Sequence, residues 1–359
     1  VFNQAYMTKH TDLLNYKVSY EPFPDLKLEI TGDRSFARNL QEFFRADSAG
    51  NFEIFSPQEG GNYSISYISI KTAFESPGTD NSSQAFDNML GYRQEVSFWL
   101  GEQNPNSRGK EPVYDSATNA YYAYGYGPTQ QEVLMYSFRA AYRGKSPDQL
   151  NQKAFPSFPL PNWRFTYSGL TNIKGVKNTF QKVTLSHGYR SAYAITRFVT
   201  SANYQELDGY ASRIQDFSNV FIPQYDQGQI TIAEQFNPLF GLDMTFHNSL
   251  SARFEWKKSR NLTLSFANNQ ITDVNSNEMV IGMGYRIQDL SFSIKALGGG
   301  GRKKRIQSDL NIKLDLSIRN NRTVLRRIDE NVSQISAGQR VVSINTSFDY
   351  ALSEKLIFR

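Results

Sequence analysis

Between Leu242 and Trp256 the chain alternates. Leu242, Met244, Phe246, Leu250, Ala252, Phe254 and Trp256 are interleaved with Asp243, Thr245, His247, Ser249, Ser251, Arg253 and Glu255, and Asn248 alone interrupts the apolar series. A period of two puts successive side chains on opposite faces of an extended strand; a helix would repeat its apolar face about every 3.6 residues. Read as one strand at about 3.3 Å per residue, the run reaches roughly 50 Å. An ordinary globular strand has only about 5–6 residues.

The same period returns downstream. It runs through Leu262, Leu264 and Phe266, then Met279 to Tyr285, Leu290 to Ala296, Leu310 to Ile318 and Val342 to Tyr350. Short turns are predicted at 257–260, 287–289, 320–321 and 353–354, and long polar loops at 268–278, 298–307 and 327–340. Short and long connections then fall at opposite ends of an up-and-down meander, as in outer-membrane β-barrels. A soluble β-sandwich also alternates, and strand by strand the two are alike. Strand length, sequential hairpins and loop asymmetry favour a very large antiparallel transmembrane barrel.

Composition fits strands with one wet and one greasy face. Of 359 residues only 39% are hydrophobic, yet there are 26 Phe and 21 Tyr, too many aromatics for a disordered chain. No run nears the roughly 18 apolar residues of a membrane-spanning helix. The absence of Cys excludes disulfides, thiolate metal sites and cysteine nucleophiles, and His10, His187 and His247 are too few for a His-rich metal centre. A net charge of +5 does not by itself imply nucleic acid. Val1 is not a start methionine, no leader follows it, and a further strand begins just before Arg359, so the expectation is a piece of a longer chain.

Upstream, Tyr16, Val18 and Tyr20, a turn at Pro22 and Pro24, and Leu26, Leu28 and Ile30 read as a hairpin, and Tyr63, Ile65 and Tyr67 as the start of another strand. Strands are predicted over 163–168, 182–186, 193–200 and 229–234. Two segments carry helical spacing: 83–100, with Ser82 or Ser83 as N-cap, and 130–142, with Val133, Leu134, Phe138 and Ala141 on one face. The division is therefore barrel-wall hairpins over 1–81, a partly helical insertion packed on the rest over 82–150, and consecutive barrel strands over 151–359.

The alternation assigns the faces. Leu242, Met244, Phe246, Phe254, Leu264, Ile281, Phe292, Leu314, Ile344 and Phe348 are expected to face lipid; Asp243, Arg253, Glu255, Lys295, Asp309, Lys313, Asp315, Arg319 and Asp349 are expected to line an aqueous lumen. The mixed signs give no strong single-sign field. The tetraglycine 298–301 followed by Arg302, Lys303, Lys304 and Arg305 lacks the spacing of a phosphate loop; it reads as a solvated loop or as a contact for lipopolysaccharide phosphates. No catalytic, cofactor or metal residue is expected. Ser186 and His187 are adjacent and point to opposite faces of a strand, and Asp243 and Glu255, on one strand, would lie about 40 Å apart.

One segment is distinctive: Pro161-Asn162-Trp163-Arg164-Phe165-Thr166-Tyr167-Ser168-Gly169-Leu170, followed by Thr184-Leu185-Ser186-His187-Gly188-Tyr189-Arg190-Ser191. With Trp256-Lys257-Lys258-Ser259-Arg260-Asn261-Leu262, Ser317-Ile318-Arg319-Asn320-Asn321, Arg327-Ile328-Asp329-Glu330-Asn331 and Ala140-Ala141-Tyr142-Arg143-Gly144-Lys145, it resembles the SprA/Sov family, the outer-membrane translocon of the type 9 secretion system and gliding machinery of Bacteroidetes. The resemblance covers most of this chain but only the C-terminal part of a family member, without its end. It implies a giant barrel passing folded cargo to the cell surface. The implied partners are a PorV-like shuttle barrel, a periplasmic plug protein, cargo with a type 9 C-terminal domain, outer-membrane lipid and the rest of the barrel chain. No enzymatic activity, cofactor or nucleic-acid partner is implied. The alternatives are another outer-membrane barrel, such as a nutrient receptor or porin, and a soluble β-rich adhesin or binding module.

Overall fold

The structure, a computed structural model, describes residues 5–46, 49–76, 78, 80–150, 153–215, 218–295, 303–353 and 356–358, with backbone alone at 292–295, 303–306, 351–353 and 356–358. The chain begins with β1 (Tyr6–Tyr20), β2 (Leu26–Ala46) and β3 (Phe52–Ser66). An insertion carrying α1 (Gln84–Gln103), the hairpin β4 (Val113–Asp115) and β5 (Ala120–Tyr122), and α2 (Gln131–Arg143) comes next. Then come β6 (Asn162–Tyr167), β7 (Phe180–Thr200), a small hairpin of β8 (Glu206–Leu207) and β9 (Tyr210–Ala211), β10 (Tyr225–Gln227), β11 (Gln229–Phe246), β12 (Leu250–Ser265), β13 (Gln270–Lys295), β14 (Lys303–Arg327), β15 (Val332–Ser353) and β16 (Leu356–Phe358).

One sheet dominates, in the order β1-β2-β3-β7-β11-β12-β13-β14-β15-β16, with every pairing antiparallel. The expected all-β, up-and-down architecture is what is seen. The strands are longer than the periodicity marks them: β13 has 26 residues, roughly 85 Å of extended chain.

Three readings of the connections are corrected. The run 242–256 is a hairpin, not one strand, turning at His247–Ser249 with Ser249 at φ 65°. Leu242 pairs with Phe254 and Met244 with Ala252. Partners in a ladder share a face, and here partner numbers share parity, so the alternation passes through the turn unbroken. The predicted turns at 257–260 and 320–321 lie inside β12 and β14, and 287–289 is a register shift within β13 at Asp289 (φ 54°). Lys257-Lys258-Ser259-Arg260 has loop composition because both faces of the strand are polar there, with Arg260 buried against Glu234 and the others half-buried. Finally, the described connections between β11 and β15, at 247–249, 266–269 and 328–331, are all short, so the expected alternation of short and long loops is absent from them. Of the expected turn at 353–354, residue 354 lies outside the described residues; of the expected loop at 298–307, positions 298–302 do, and 303–307 belong to β14.

The insertion leaves the sheet in the middle of a strand. β2 pairs with β3 through Arg34–Ala46 and with β6 through Leu26–Thr31, and β7 likewise pairs with both. β3 and β6 thus continue one strand position, interrupted by 67–161, a wider excursion than 82–150. Tyr63 and Ile65 close a strand where one was expected to open. The break would strand backbone donors inside a ladder. Ser66 and Asn162 fill it: Asp33 N and Asn162 Nδ2 donate to Ser66 Oγ, both at 2.9 Å, and Ser191 N donates to Asn162 Oδ1 at 2.8 Å.

Both expected helices form. Ser83 Oγ accepts from Phe86 N at 3.3 Å, capping α1, and Gly144, at φ 68°, ends α2 in the left-handed conformation that glycine adopts freely. Every residue of α2 from Val133 to Tyr142 is buried, so it has no single packing stripe. It lies in the core with Met89 and Val96 of α1 and Tyr193, Ile195, Ile230, Ile232, Leu262 and Leu264 of the sheet.

Candidate functional site

Register decides which residues share a face. Following partners across the sheet, Leu26, Tyr167, Leu185, Leu242, Phe254, Ile281, Leu316 and Ile344 form one row over eight strands, each apolar or aromatic. Adjacent rows are similar: Phe240, Trp256, Met279, Ile318 and Val342 on one side, Met244, Ala252, Met283, Leu314 and Thr346 on the other, then Leu250, Tyr285, Ile312 and Phe348. Together they make an apolar belt that lies open on β13–β15, where Ile344 is 68% exposed, Ile281 50% and Phe348 48%, while at β7 the segment 169–177 packs on it and Val183, the partner of Met244, is buried. On β14 the belt runs from Leu310 to Ile318, about 27 Å along the strand.

The border of the belt is abrupt. One row above Trp256, Met279, Ile318 and Val342 stand Lys258, Asn277, Asn320 and Arg340. The Trp256 indole donates across this border to Asn277 Oδ1. Beyond it, the same face is covered by the insertion.

The opposite face is polar. Thr184, Asp243, Arg253, Gly282, Asp315 and Asn345 form one of its rows. Arg253 Nε donates to Asp243 Oδ1 at 2.8 Å and lies 4.0 Å from Glu255, Lys257 pairs with Glu255 at 2.8 Å, and Arg286 pairs with Asp309. Gly282 leaves room between these side chains, since a Cβ there would meet Asp315 Oδ1 at 2.4 Å. Asp243 and Glu255 are thus neighbours on paired strands, joined through Arg253, and not 40 Å apart; the hairpin that the periodicity hides brings them together.

Asp243, Arg253, Glu255, Asp309, Lys313, Asp315, Arg319 and Asp349 all fall on the polar face, and Leu242, Met244, Phe246, Phe254, Ile281, Leu314, Ile344 and Phe348 on the belt face. Leu264 is a correction. It shares the belt face but is fully buried, because its end of β12 lies beneath the insertion. Of Phe292, Lys295, Lys303, Lys304 and Arg305 only the backbone is described, and Arg302 lies outside the described residues. Lys303, Lys304 and Arg305 pair with Lys295, Ile294 and Ser293, so they belong to a ladder rather than to a loop. Ser186 lies on the polar face while His187, on the belt face, is bonded through Nδ1 to Leu239 O at 2.7 Å.

The periodicity passed over two buried ion pairs that fasten the insertion to the sheet. Glu234 and Arg260 are direct cross-strand partners 3.2 Å apart. Ser69 Oγ and Tyr189 Oη donate to Glu234 Oε1, each at 2.8 Å, and Arg260 Nη1 donates to Thr72 O at 2.8 Å. Farther along, Arg326 pairs with Asp273 at 3.1 Å and donates to Asn81 O at 2.8 Å. The signal for the first was legible: Glu234 and Arg260 sit at positions of apolar parity, beside Ile232 and Phe236 and beside Leu262. A charge there must be paired if the face is dry.

Compared with known proteins, the chain matches no family model and no curated sequence. No helix among the described residues is long and apolar enough to cross a membrane, which says nothing of crossing by strands.

Proposed function

We propose that this chain is part of the wall of a large outer-membrane β-barrel that conducts proteins to the cell surface, as the translocon of the type 9 secretion system does. The observation that carries the membrane reading is the apolar row from Leu26 to Ile344, continuous over eight strands and open at Ile281 and Ile344. A soluble sheet exposing such a belt would aggregate or need a partner along its whole width. The belt's length on β14 gives about 20 Å of height at the roughly 45° strand tilt of barrels, near the roughly 25 Å apolar band of outer-membrane proteins. Trp256 at the polar border matches the aromatic girdles of such proteins. Hydrogen bonds within the ladder satisfy the backbone, which hydrocarbon cannot do.

On this reading the face with Asp243, Arg253 and Asp315 borders water, and its mixed charge suits passage of varied cargo. The insertion then sits on the outer side of the wall, beyond the bilayer, where strands such as β12 and β14 rise above the membrane. The export role rests on the sequence resemblance, and its partners are the shuttle barrel, plug and tagged cargo that the resemblance implies. The test is fractionation of cells followed by depletion of the protein. Recovery in the outer membrane, with loss of surface delivery of type 9 cargo on depletion, is expected; recovery in a soluble fraction, or unchanged cargo delivery, refutes the reading.

A further inference from the structure

At the border of the belt, the neck of the insertion and the sheet enclose a cleft. Thr72 and Glu75 line it from the neck; Lys258, Arg260, Arg322 and Arg326 line it from the sheet. The Nε donors of Arg260, Arg322 and Arg326 are all buried without an acceptor, and Arg260 and Arg326 are themselves more than nine-tenths buried. A native protein rarely leaves buried donors unsatisfied, and three that belong to side chains lining one cleft suit an anion with several acceptor oxygens. The carboxylates present do not fill this role. Asp273 is engaged with Arg326, and Glu75 accepts from Ala85 N at 3.3 Å. Lys258 and Arg322 have no carboxylate partner among the described residues; Lys258 Nζ lies 4.5 Å from the centre of the half-exposed Phe74 ring, and Arg322 donates to Asn81 Oδ1.

The surroundings specify what carries the anion. Met279 and Ile318 open the apolar belt one row below Asn277 and Asn320. A ligand with its charged group in the cleft would lay apolar chains on those rows. We propose that this cleft binds the phosphate headgroup of an anionic membrane lipid whose acyl chains lie on the belt, and that it thereby anchors the neck of the insertion to the bilayer surface. This rests on the membrane reading above. Lys258 and Arg322 are the residues to change, because Arg260 and Arg326 also hold the buried ion pairs with Glu234 and Asp273.

The test uses the protein extracted from membranes and placed in nanodiscs of phosphatidylcholine containing either phosphatidylglycerol or bisphosphorylated lipid A, with lipid retained after detergent exchange measured by mass spectrometry. Wild type should retain one or both anionic lipids over phosphatidylcholine. Retention of lipid A alone identifies lipopolysaccharide as the source, and retention of both identifies a general phosphate headgroup site. The Lys258→Ala/Arg322→Ala pair should lower retention by about tenfold. Lys258→Glu, which keeps the Arg322 contact to Asn81, should do the same with unchanged thermal stability. No preference over phosphatidylcholine, or equal retention by these variants, overturns the site. Failure of wild type to enter nanodiscs would instead sink the membrane reading itself.

Discussion

Leu314 offers the sharpest test of what the belt faces. It lies midway between Leu310 and Ile318, the two ends of the belt on β14, and is 40% exposed. From Leu314 to either end is about 14 Å along the strand, or about 10 Å of height at 45° tilt, enough to carry a guanidinium from the midplane to the interface. An arginine on the lipid face of a barrel costs about 2–4 kcal/mol at the midplane and about 0–1 kcal/mol near the interface. Leu314→Arg should therefore destabilise by about 2–4 kcal/mol, and Leu310→Arg and Ile318→Arg by less than about 1 kcal/mol. Were the belt in water, a half-exposed Leu→Arg change would stay within about 0.5 kcal/mol at all three positions. The assay is urea-dependent refolding into lipid vesicles, followed by the intrinsic tryptophan signal. A flat profile across the three variants refutes the membrane reading. A tolerated Leu314→Arg beside a damaging Asp315→Leu would show that the two faces are reversed.

Three further outcomes are expected. Arg260→Met should leave Glu234 buried without its cation and cost about 3–5 kcal/mol, seen as faster proteolysis within 67–161. Adding Glu234→Gln should restore most of the protection, and no rescue would show that the pair does not fasten the neck. Leu264→Ala should cost about 2–5 kcal/mol by removing a fully packed side chain, and Ile344→Ala less than about 1 kcal/mol, measured by denaturation in one detergent; equal costs would mean that the insertion does not cover β12. Burial at the first turn of α2 raises the Glu132 carboxyl above its ordinary value of 4.5. The folded state then holds this proton more tightly than the unfolded chain, so its favourable contribution is full below pH 4.5 and lost as pH rises through the folded value. Glu132→Gln should accordingly raise Tm relative to wild type at pH 8 and have little effect at pH 4; the reverse order refutes the burial argument.

Which parts of this fold were legible follows from what periodicity measures. Alternation reports the face of a residue relative to its neighbours, and among the described side chains the residues it separates, such as Leu242 from Asp243 and Leu314 from Asp315, do fall on opposite faces of the sheet. It carries no information on where a strand stops, because a hairpin whose partners share parity continues the pattern, as Leu242 and Phe254 do. Nor does it separate a turn from a strand segment that is polar on both faces, so Lys257–Arg260 and Asn320–Asn321 were read as turns. What lies over a face is equally invisible. Leu264 and Phe254 have the same parity and chemistry, yet one is beneath two helices and the other in the belt.

The interrupted strand was beyond reach for a different reason. β3 and β6 are separated by a long excursion and become one strand position only through β2 and β7, which bind both. Nothing local to Ser66 or Asn162 announces this, although two polar residues that satisfy backbone groups of β2 and β7 are what a mid-ladder break requires. The break also constrains the proposed function. An insertion rooted in the middle of a wall strand cannot be a terminal cap that swings away from the rim; it is fixed on three sides, by Ser66 and Asn162 at its root, by Glu234 and Arg260 at Thr72, and by Asp273 and Arg326 at Asn81. Such a body moves with the wall strands it grips, so any motion of 67–161 should appear as coupled hydrogen exchange of the insertion and of β11–β14. Exchange of α1 and α2 that is fast while Glu234, Arg260, Asp273 and Arg326 stay protected would show that the fastening does not transmit, and the insertion would have to be treated as an independent lid.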